Sequence, residues 1–118
     1  HAPRLAGYLF LSHGNCLQDR NWTSHMIIGL LTIDLHIPGA NSLKSKRMAV
    51  KSLIARIKTK FNVSIAEVDH NDLWQRSVLA VALVANETQI INKVFERIRN
   101  LISETHSVEL IETSMELL

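Results

Sequence analysis

The chain has 118 residues, of which 47% are hydrophobic and 20% are charged. These are globular values, and the length accommodates one domain but is too short for two. The formal net charge is only +2, so any affinity for nucleic acid must come from how the charges are distributed. The single cysteine, Cys16, excludes an internal disulfide and a cysteine-based zinc site. No apolar run reaches the roughly 18 residues of a transmembrane helix.

The first 25 residues differ from the rest of the chain. They show no sustained hydrophobic periodicity, and the apolar run at residues 8–11 is too short for a signal-peptide core. From Met26 onward the pattern is continuous. We therefore predict a domain at residues 26–118, preceded at residues 1–25 by an extension that is of cloning origin, mis-started or disordered.

Six segments follow Met26 in order. Alternating apolar residues predict a strand at residues 27–37, and residues 43–61 predict an amphipathic helix with Ser42 as its N-cap. Residues 63–69 and 76–85 are predicted as strands, the latter apolar on both faces like a central strand. A second helix is predicted at residues 87–105 with Asn86 as its cap, and a glutamate-rich edge strand at residues 108–115.

This order, β-α-β-β-α-β, predicts an α+β protein with the ferredoxin-like fold. Two right-handed crossovers place both helices on one face of a four-stranded antiparallel sheet with strand order 4-1-3-2. The same topology brings the connections at residues 38–42, 70–75 and 104–107 to one end of the molecule. We expect a discrete site at this end, which carries His36, His70, His106, Asp72, Trp74 and Gln75.

The first predicted helix carries seven of the 13 lysines and arginines of the chain and no acidic residue. At about 100° per residue, four of these cations fall within about 60° of one another on one flank. A bound phosphate would relieve the unfavourable placement of lysines at the positive end of the helix dipole. The alternative is an ordinary solvated helix face. The predicted nucleic-acid contacts are Lys44, Arg47, Lys51 and Lys58, joined at the loop end by Lys46 and Arg76.

Other chemistry finds less support in the sequence. No two histidines have the helical spacing of paired metal ligands, and no nucleophile elbow, glycine-rich phosphate loop or Walker-type lysine occurs. Asp34 and His36 share one strand face and could act as acid and base, although solvated surface is the commoner role of such a pair. We predict no catalytic residue, no metal, no cofactor and no small-molecule substrate.

The predicted sheet has no aromatic residue on its first or third strand, so bases are not expected to stack on it. Trp74 with Arg76 offers a place for one stacked base, but we favour Trp74 as a plug over the end of the core. Ile28 and Leu30 leave an apolar patch on the open sheet face. A second copy of the chain or another protein would cover this patch, unless residues 1–25 fold back over it.

Two segments carry a family resemblance: residues 37–54, IPGANSLKSKRMAVKSLI, and residues 61–84, FNVSIAEVDHNDLWQRSVLAVALV. They resemble the YlxP-like family, a bacterial domain of unknown function (503), over essentially all of the chain from Met26. The resemblance implies a ferredoxin-like fold, a bacterial cytoplasmic protein, and genes neighbouring those of translation-initiation and ribosome-maturation factors. It brings no catalytic residues. The recurring family positions are, in this chain, Pro38, Gly39, Ser42, Leu43, Lys44, Lys46, Arg47, His70, Asp72, Leu73, Trp74, Gln75 and Arg76.

These observations predict a non-enzymatic accessory protein of the cytoplasm that contacts RNA or a ribosomal surface through its basic helix. The alternative is a protein-interaction or homodimerisation module that pairs through its apolar open sheet face and has no nucleic-acid role. No membrane partner is predicted.

Overall fold

The computed structural model describes residues 25–118. The predicted extension at residues 1–25, with Cys16, therefore lies outside the described residues except for His25. The predicted bounds of all six elements agree with the structure to within two residues. In chain order the elements are β1 (Ile27–His36), α1 (Leu43–Lys60), β2 (Ser64–Asp69), β3 (Arg76–Ala85), α2 (Thr88–Ser103) and β4 (Glu109–Leu117).

The four strands form one antiparallel sheet in the order β2-β3-β1-β4. This is the predicted order read from the opposite edge, so the α+β, ferredoxin-like architecture is confirmed. The central strands β1 and β3 pair over their full length, with His36 opposite Arg76 at the loop end. The edge strands each contain a bulge, at Val68 in β2 and at Ile111 in β4, where one residue has no partner on the neighbouring strand.

The hydrophobic core lies between the sheet and the two helices. Alternate residues of β1, namely Leu31, Ile33 and Leu35, are completely buried, while the residues between them face the open side of the sheet. The helices contribute Val50, Leu53 and Ile57 from α1 and Ile91, Phe95, Ile98 and Ile102 from α2. Both helices therefore cover the same face, as predicted, and none of the described elements covers the other.

The two helices begin differently. At α1 the predicted N-cap is confirmed, because the hydroxyl of Ser42 accepts a hydrogen bond from the backbone N–H of Ser45 at 3.1 Å. At α2 the predicted cap, Asn86, is wrong, since the helix is capped by Glu87, which makes no side-chain capping bond. Asn86 lies one residue too early in the chain to serve the first turn. The backbone carbonyl of Glu87 instead accepts from the N–H of Ile90 at 3.2 Å.

Gly29 sets the distance between α2 and the sheet. A Cβ atom at this residue would lie 2.5 Å from Cγ2 of Ile91 and 3.1 Å from Cε2 of Phe95. Carbon atoms make favourable contact only at about 3.5–4.0 Å, so no side chain fits at residue 29 unless α2 moves away. Side chains of α2 thus fill the space that a side chain at residue 29 would occupy on the apolar face of β1.

We expect Gly29→Ala to lower the free energy of unfolding by about 1–3 kcal/mol, because the added methyl group overpacks the contact with α2. Urea denaturation followed by circular dichroism measures the loss. Gly39→Ala is the matched control, because apart from its two neighbours in the chain no described residue has a heavy atom within 4 Å of its Cβ position. This substitution should change the free energy of unfolding by no more than about 0.5 kcal/mol. Equal losses in the two variants would contradict this account of the packing.

Candidate nucleic-acid interface

Two loops are bound to each other at one end of the molecule, as the topology predicted. The side-chain amide of Gln75 donates to the carbonyl of Ala40 at 3.0 Å and to that of Pro38 at 3.3 Å. The backbone N–H of Ile37 donates to the carbonyl of Gln75 at 2.9 Å. The loop after β1 and the loop after β2 therefore form one surface, with the N-terminus of α1 beside them.

The turn after α2 closes the same end. Together with the loop after β1 and the start of α1, it encloses a cavity of about 290 Å³. The hydroxyl of Ser45, one of the few polar groups in the lining, already donates to the carbonyl of Ser42 at 3.1 Å. The cavity offers no lysine or arginine to a phosphate. Its lining consists of Ile37, Pro38, Gly39, Ala40, Ser45, Ala49, His106 and Ser107.

The histidines of this end lie on different sides of the sheet. His36 is on the open face, where its Nδ1 lies 2.8 Å from Oε1 of Glu109. His106 is on the helix side, in the lining of the cavity. Within residues 25–118, no group of three or more His, Cys, Asp and Glu side chains could hold a metal ion.

Lys46 is the most unusual side chain at this end, because it is completely buried. Its ammonium donates to Oε2 of Glu67 at 2.7 Å, to the carbonyl of His70 at 3.0 Å and to that of Asn71 at 3.3 Å. The same carboxylate oxygen of Glu67 accepts from the hydroxyl of buried Ser77 at 2.7 Å. All three N–H bonds of the ammonium thus have a partner, which is the condition for burying a lysine.

This burial corrects the prediction for Lys46, which was expected to contact phosphate. On α1 the residue points to the same side as Leu53 and Ile57, both of which are buried in the core. Its charge is neutralised by Glu67 beneath the surface, so it is out of reach of a ligand on the helix flank. Its role is to fasten the first turn of α1 to the loop after β2.

We expect Lys46→Met to destabilise the domain by about 3–5 kcal/mol, because the carboxylate of Glu67 would be left without its counter-charge. Adding Glu67→Gln should recover part of this loss, since the unpaired charge is then gone. Lys51→Met, the same change at an exposed position of α1, should cost no more than about 0.5 kcal/mol. Urea denaturation of the four proteins measures these differences; an equal cost at residues 46 and 51 would refute the buried ion pair.

The loop after β2 is held in a defined conformation. His70 has a φ of 60°, in the left-handed region that non-glycine residues rarely adopt. Its N–H donates to Oδ1 of Asp69 at 2.8 Å, and its carbonyl accepts from Leu73 at 3.2 Å as well as from Lys46. His70 is therefore a structural residue of this loop, half-buried at the point where the chain turns.

The tip of this loop is exposed to solvent. Trp74 is 54% exposed and Leu73 is 43% exposed, and Asp72 beside them is exposed as well. The prediction that Trp74 plugs the end of the core is therefore wrong. The inner contacts of this loop are instead made by the ammonium of Lys46, which binds the carbonyl of His70, and by the amide of Gln75, which binds the carbonyl of Ala40.

Four cations form the basic flank of α1. All four are exposed, and none makes an ion pair or a side-chain hydrogen bond within the described residues. The opposite flank faces α2, because Nη1 of Arg56 donates to Oγ1 of Thr105 at 3.0 Å. The basic flank therefore lies on the side of the molecule that ends in β2. It consists of Lys44, Arg47, Lys51 and Lys58.

Arg76 does not belong to this flank. It lies on the open sheet face, where its Nη2 donates to Oδ1 and Oδ2 of Asp34 at 3.0 and 3.1 Å. The sheet separates it from α1, and its charge is largely compensated by the carboxylate. The structure therefore keeps the four flank residues together as predicted but places Arg76, with His36, on another surface.

Sequence reasoning missed Glu67 and Ser77, the partners of the buried lysine. Both were detectable in the alternation of their strands: Glu67 follows buried Ile65 by two residues, and Ser77 precedes buried Leu79 by two. A carboxylate on the core face of a strand requires a buried cation. On α1 the only lysine within the core-facing arc is Lys46, so the pair could have been predicted.

The fold and this surface define a two-layer α+β domain with a free basic helix flank. In the described part of the chain, no helix is both long and apolar enough to cross a membrane. Residues 28–115 match the family model described as "Protein of unknown function (DUF503)". The chain belongs to this family, which confirms the resemblance found in the sequence.

A relative by sequence agrees with this assignment. The chain is 34% identical to "Uncharacterized protein YlxP" of Bacillus subtilis (strain 168) over 83 residues, which are 70% of this chain and 90% of that protein. Among solved structures, the "De novo designed protein Foldit4" is similar over 77% of this chain and 96% of its own, with a TM-score of 0.46 and 15% identity.

Proposed function

We propose that this domain is a non-enzymatic accessory protein that binds RNA, free or on a ribosomal surface, through the basic flank of α1. One observation carries the proposal: four exposed cations share one flank of a helix that contains no acidic residue. Phosphate groups are the partners that such an unneutralised row of cations attracts most strongly. The proposal includes a bacterial cytoplasmic location, because that is where ribosomes lie.

The spacing of the flank suits a polyanion. With a rise of about 1.5 Å per residue, Lys44, Lys51 and Lys58 follow one another at intervals of about 10 Å along the helix axis. The row is therefore about 20 Å long, and since one strand of B-form DNA carries a phosphate about every 3.4 Å of helix axis, a polynucleotide can present several phosphates to a row of this length. Arg47 lies between the first two of these lysines on the same flank and adds a planar, bidentate donor for phosphate oxygens.

The open sheet face is a poor surface for RNA. It carries no aromatic side chain on β1 or β3, and its loop end displays the carboxylates of Asp34, Glu109 and Glu112. Arg76 compensates one of these three carboxylates, so the loop end of this face stays negative and repels phosphate, whereas the helix flank attracts it. The two faces of the molecule thus differ in the sign of their exposed charge, and this difference favours the helix layer as the binding side.

A non-enzymatic role is supported by how the titratable groups are used. Glu67 is paired with Lys46 at 2.7 Å, Asp34 with Arg76 at 3.0 Å, and His36 with Glu109 at 2.8 Å. Each of these contacts joins two elements of the fold. General acid–base chemistry would instead need such groups to face a substrate within hydrogen-bond reach.

We expect the affinity for RNA to fall with salt at a slope of log K against log [salt] near −3, because about four phosphates are neutralised. Fluorescence anisotropy with a labelled RNA, from 50 mM salt upward, gives the slope. Absence of binding even at low salt would end the proposal.

Single alanine substitutions at Arg47, Lys51 or Lys58 should each reduce that slope by about 0.7, since one phosphate contact is lost. Lys60→Ala is the matched control on the same helix. Lys60 is exposed but lies about 180° around the helix from Lys51. An equal effect of Lys60→Ala would show that net charge, rather than the basic flank, governs binding.

The second candidate function is homodimerisation through the open sheet face. Ile28 and Val84 are paired across β1 and β3 and are 40% and 63% exposed, so an apolar patch lies at the end of the sheet opposite the loop end. Light scattering of residues 26–118 distinguishes the candidates. A dimer that Val84→Glu dissociates would support this one, and a monomer that binds RNA would support the first.

A further inference from the structure

We propose that Trp74 stacks on one unpaired base of RNA bound along α1, so that the domain selects single-stranded over duplex RNA. This inference rests on the proposed function and specifies its ligand. The starting observation is that the indole, which is 54% exposed, has no role in the core. Tryptophan is a large apolar side chain, and a fixed exposed one is typical of a recognition contact.

The loop presents the indole from a rigid base. On its N-terminal side the carbonyls of His70 and Asn71 accept from the buried ammonium of Lys46. On its C-terminal side Gln75 is bound through its side chain to Ala40 and through its carbonyl to Ile37. A platform that is already ordered loses little conformational entropy when a ligand binds, so one stacked base can contribute measurably to affinity.

The loop that carries Trp74 is attached to the turn of α1 that carries the first cations of the basic flank. Lys46 joins the first turn of α1 directly to the loop that carries Trp74, and Lys44 and Arg47 belong to that same turn. The basic flank lies on the β2 side of the helix, and this loop follows β2. In the proposed complex, a strand whose phosphates follow α1 toward its N-terminus reaches the loop that carries Trp74.

A single base fits this position better than a protein partner does. Within the loop at residues 70–75, the exposed apolar side chains are Leu73 and Trp74, between polar Asp72 and Gln75. A protein interface needs a larger apolar centre surrounded by a rim. One base needs only one face of an aromatic ring, and every base in single-stranded RNA has such a face available, whereas bases inside a duplex do not.

The test compares three kinds of labelled RNA of equal length. They are a single strand, a series of the same strand in which each member has one abasic nucleotide at a different position, and a duplex. For the intact single strand, Trp74→Ala should weaken binding about tenfold, because one base–aromatic stack is lost. The salt slope should stay unchanged because no charge is removed. Trp74→Phe should retain most of the affinity, and the duplex should bind both variants as it binds the unaltered protein.

Two further readouts identify stacking itself. For one of the abasic positions, the strand should bind the unaltered protein about tenfold more weakly than the intact strand does. Trp74→Ala should not weaken the binding of this abasic strand further, because the stacking contact is already missing. In a Trp22→Phe background, Trp74 is the only tryptophan, and single-stranded RNA should quench its fluorescence while inorganic polyphosphate should not. Leu73→Ala, at the exposed neighbouring position, is the matched control and should leave the preference for single strands intact.

The possible failures are distinguishable. Normal, salt-dependent RNA binding with no effect of Trp74→Ala would overturn the stacking contact and leave the basic flank in place. Equal weakening of single strand and duplex by Trp74→Ala would also overturn it, since the effect would then not depend on an unpaired base. Absence of binding to any RNA at low salt would remove the proposed function and this inference together. Circular dichroism of each variant confirms the fold, and Trp74→Phe provides the test should Trp74→Ala unfold.

Discussion

The loop end of this domain depends on one buried charge. The ammonium of Lys46 lies under the surface, where Glu67 and two backbone carbonyls satisfy it. A buried ammonium tolerates no missing acceptor, so the contact fixes three things at once: the first turn of α1, the end of β2 and the turn at His70. The same contact attaches the loop that carries exposed Trp74 to the turn of α1 that carries Lys44 and Arg47. Gln75 extends it by binding the loop after β1.

Eight of the positions that carry the family resemblance divide into two groups according to their contacts. Ser42 caps α1, Lys46 and Gln75 bind the loops together, and His70 supplies the left-handed turn, so the fold itself accounts for these residues. Lys44, Arg47, Asp72 and Trp74 are exposed and bind nothing within residues 25–118 through their side chains. The fold does not require them, which makes them the members of the motif on which a functional argument can be built.

The sequence was informative about elements and topology because those depend on periodicity. The alternation in β1, the stripe of α1 and the two-faced apolar character of β3 each correspond to a physical face of the structure. The errors concern single side chains whose position depends on tertiary contacts. The charge of Lys46 predicts a surface cation, but its place in the core-facing arc of α1 puts it opposite Glu67, and it is buried. The position of Trp74 depends on the conformation of the loop after β2, which periodicity does not determine, and the side chain is exposed instead of covering the core.

The two bulges have a consequence for how the molecule behaves at high concentration. Val68 and Ile111 interrupt the regular hydrogen-bonding pattern of the two outer strands, and both interruptions lie toward the loop end of the sheet. A straight, unbroken outer strand is a template on which another chain can continue the sheet, and a twisted or kinked one is not. The bulges thus protect both edge strands against fibre-like polymerisation. Copies of the chain can still associate through surfaces other than these two strands.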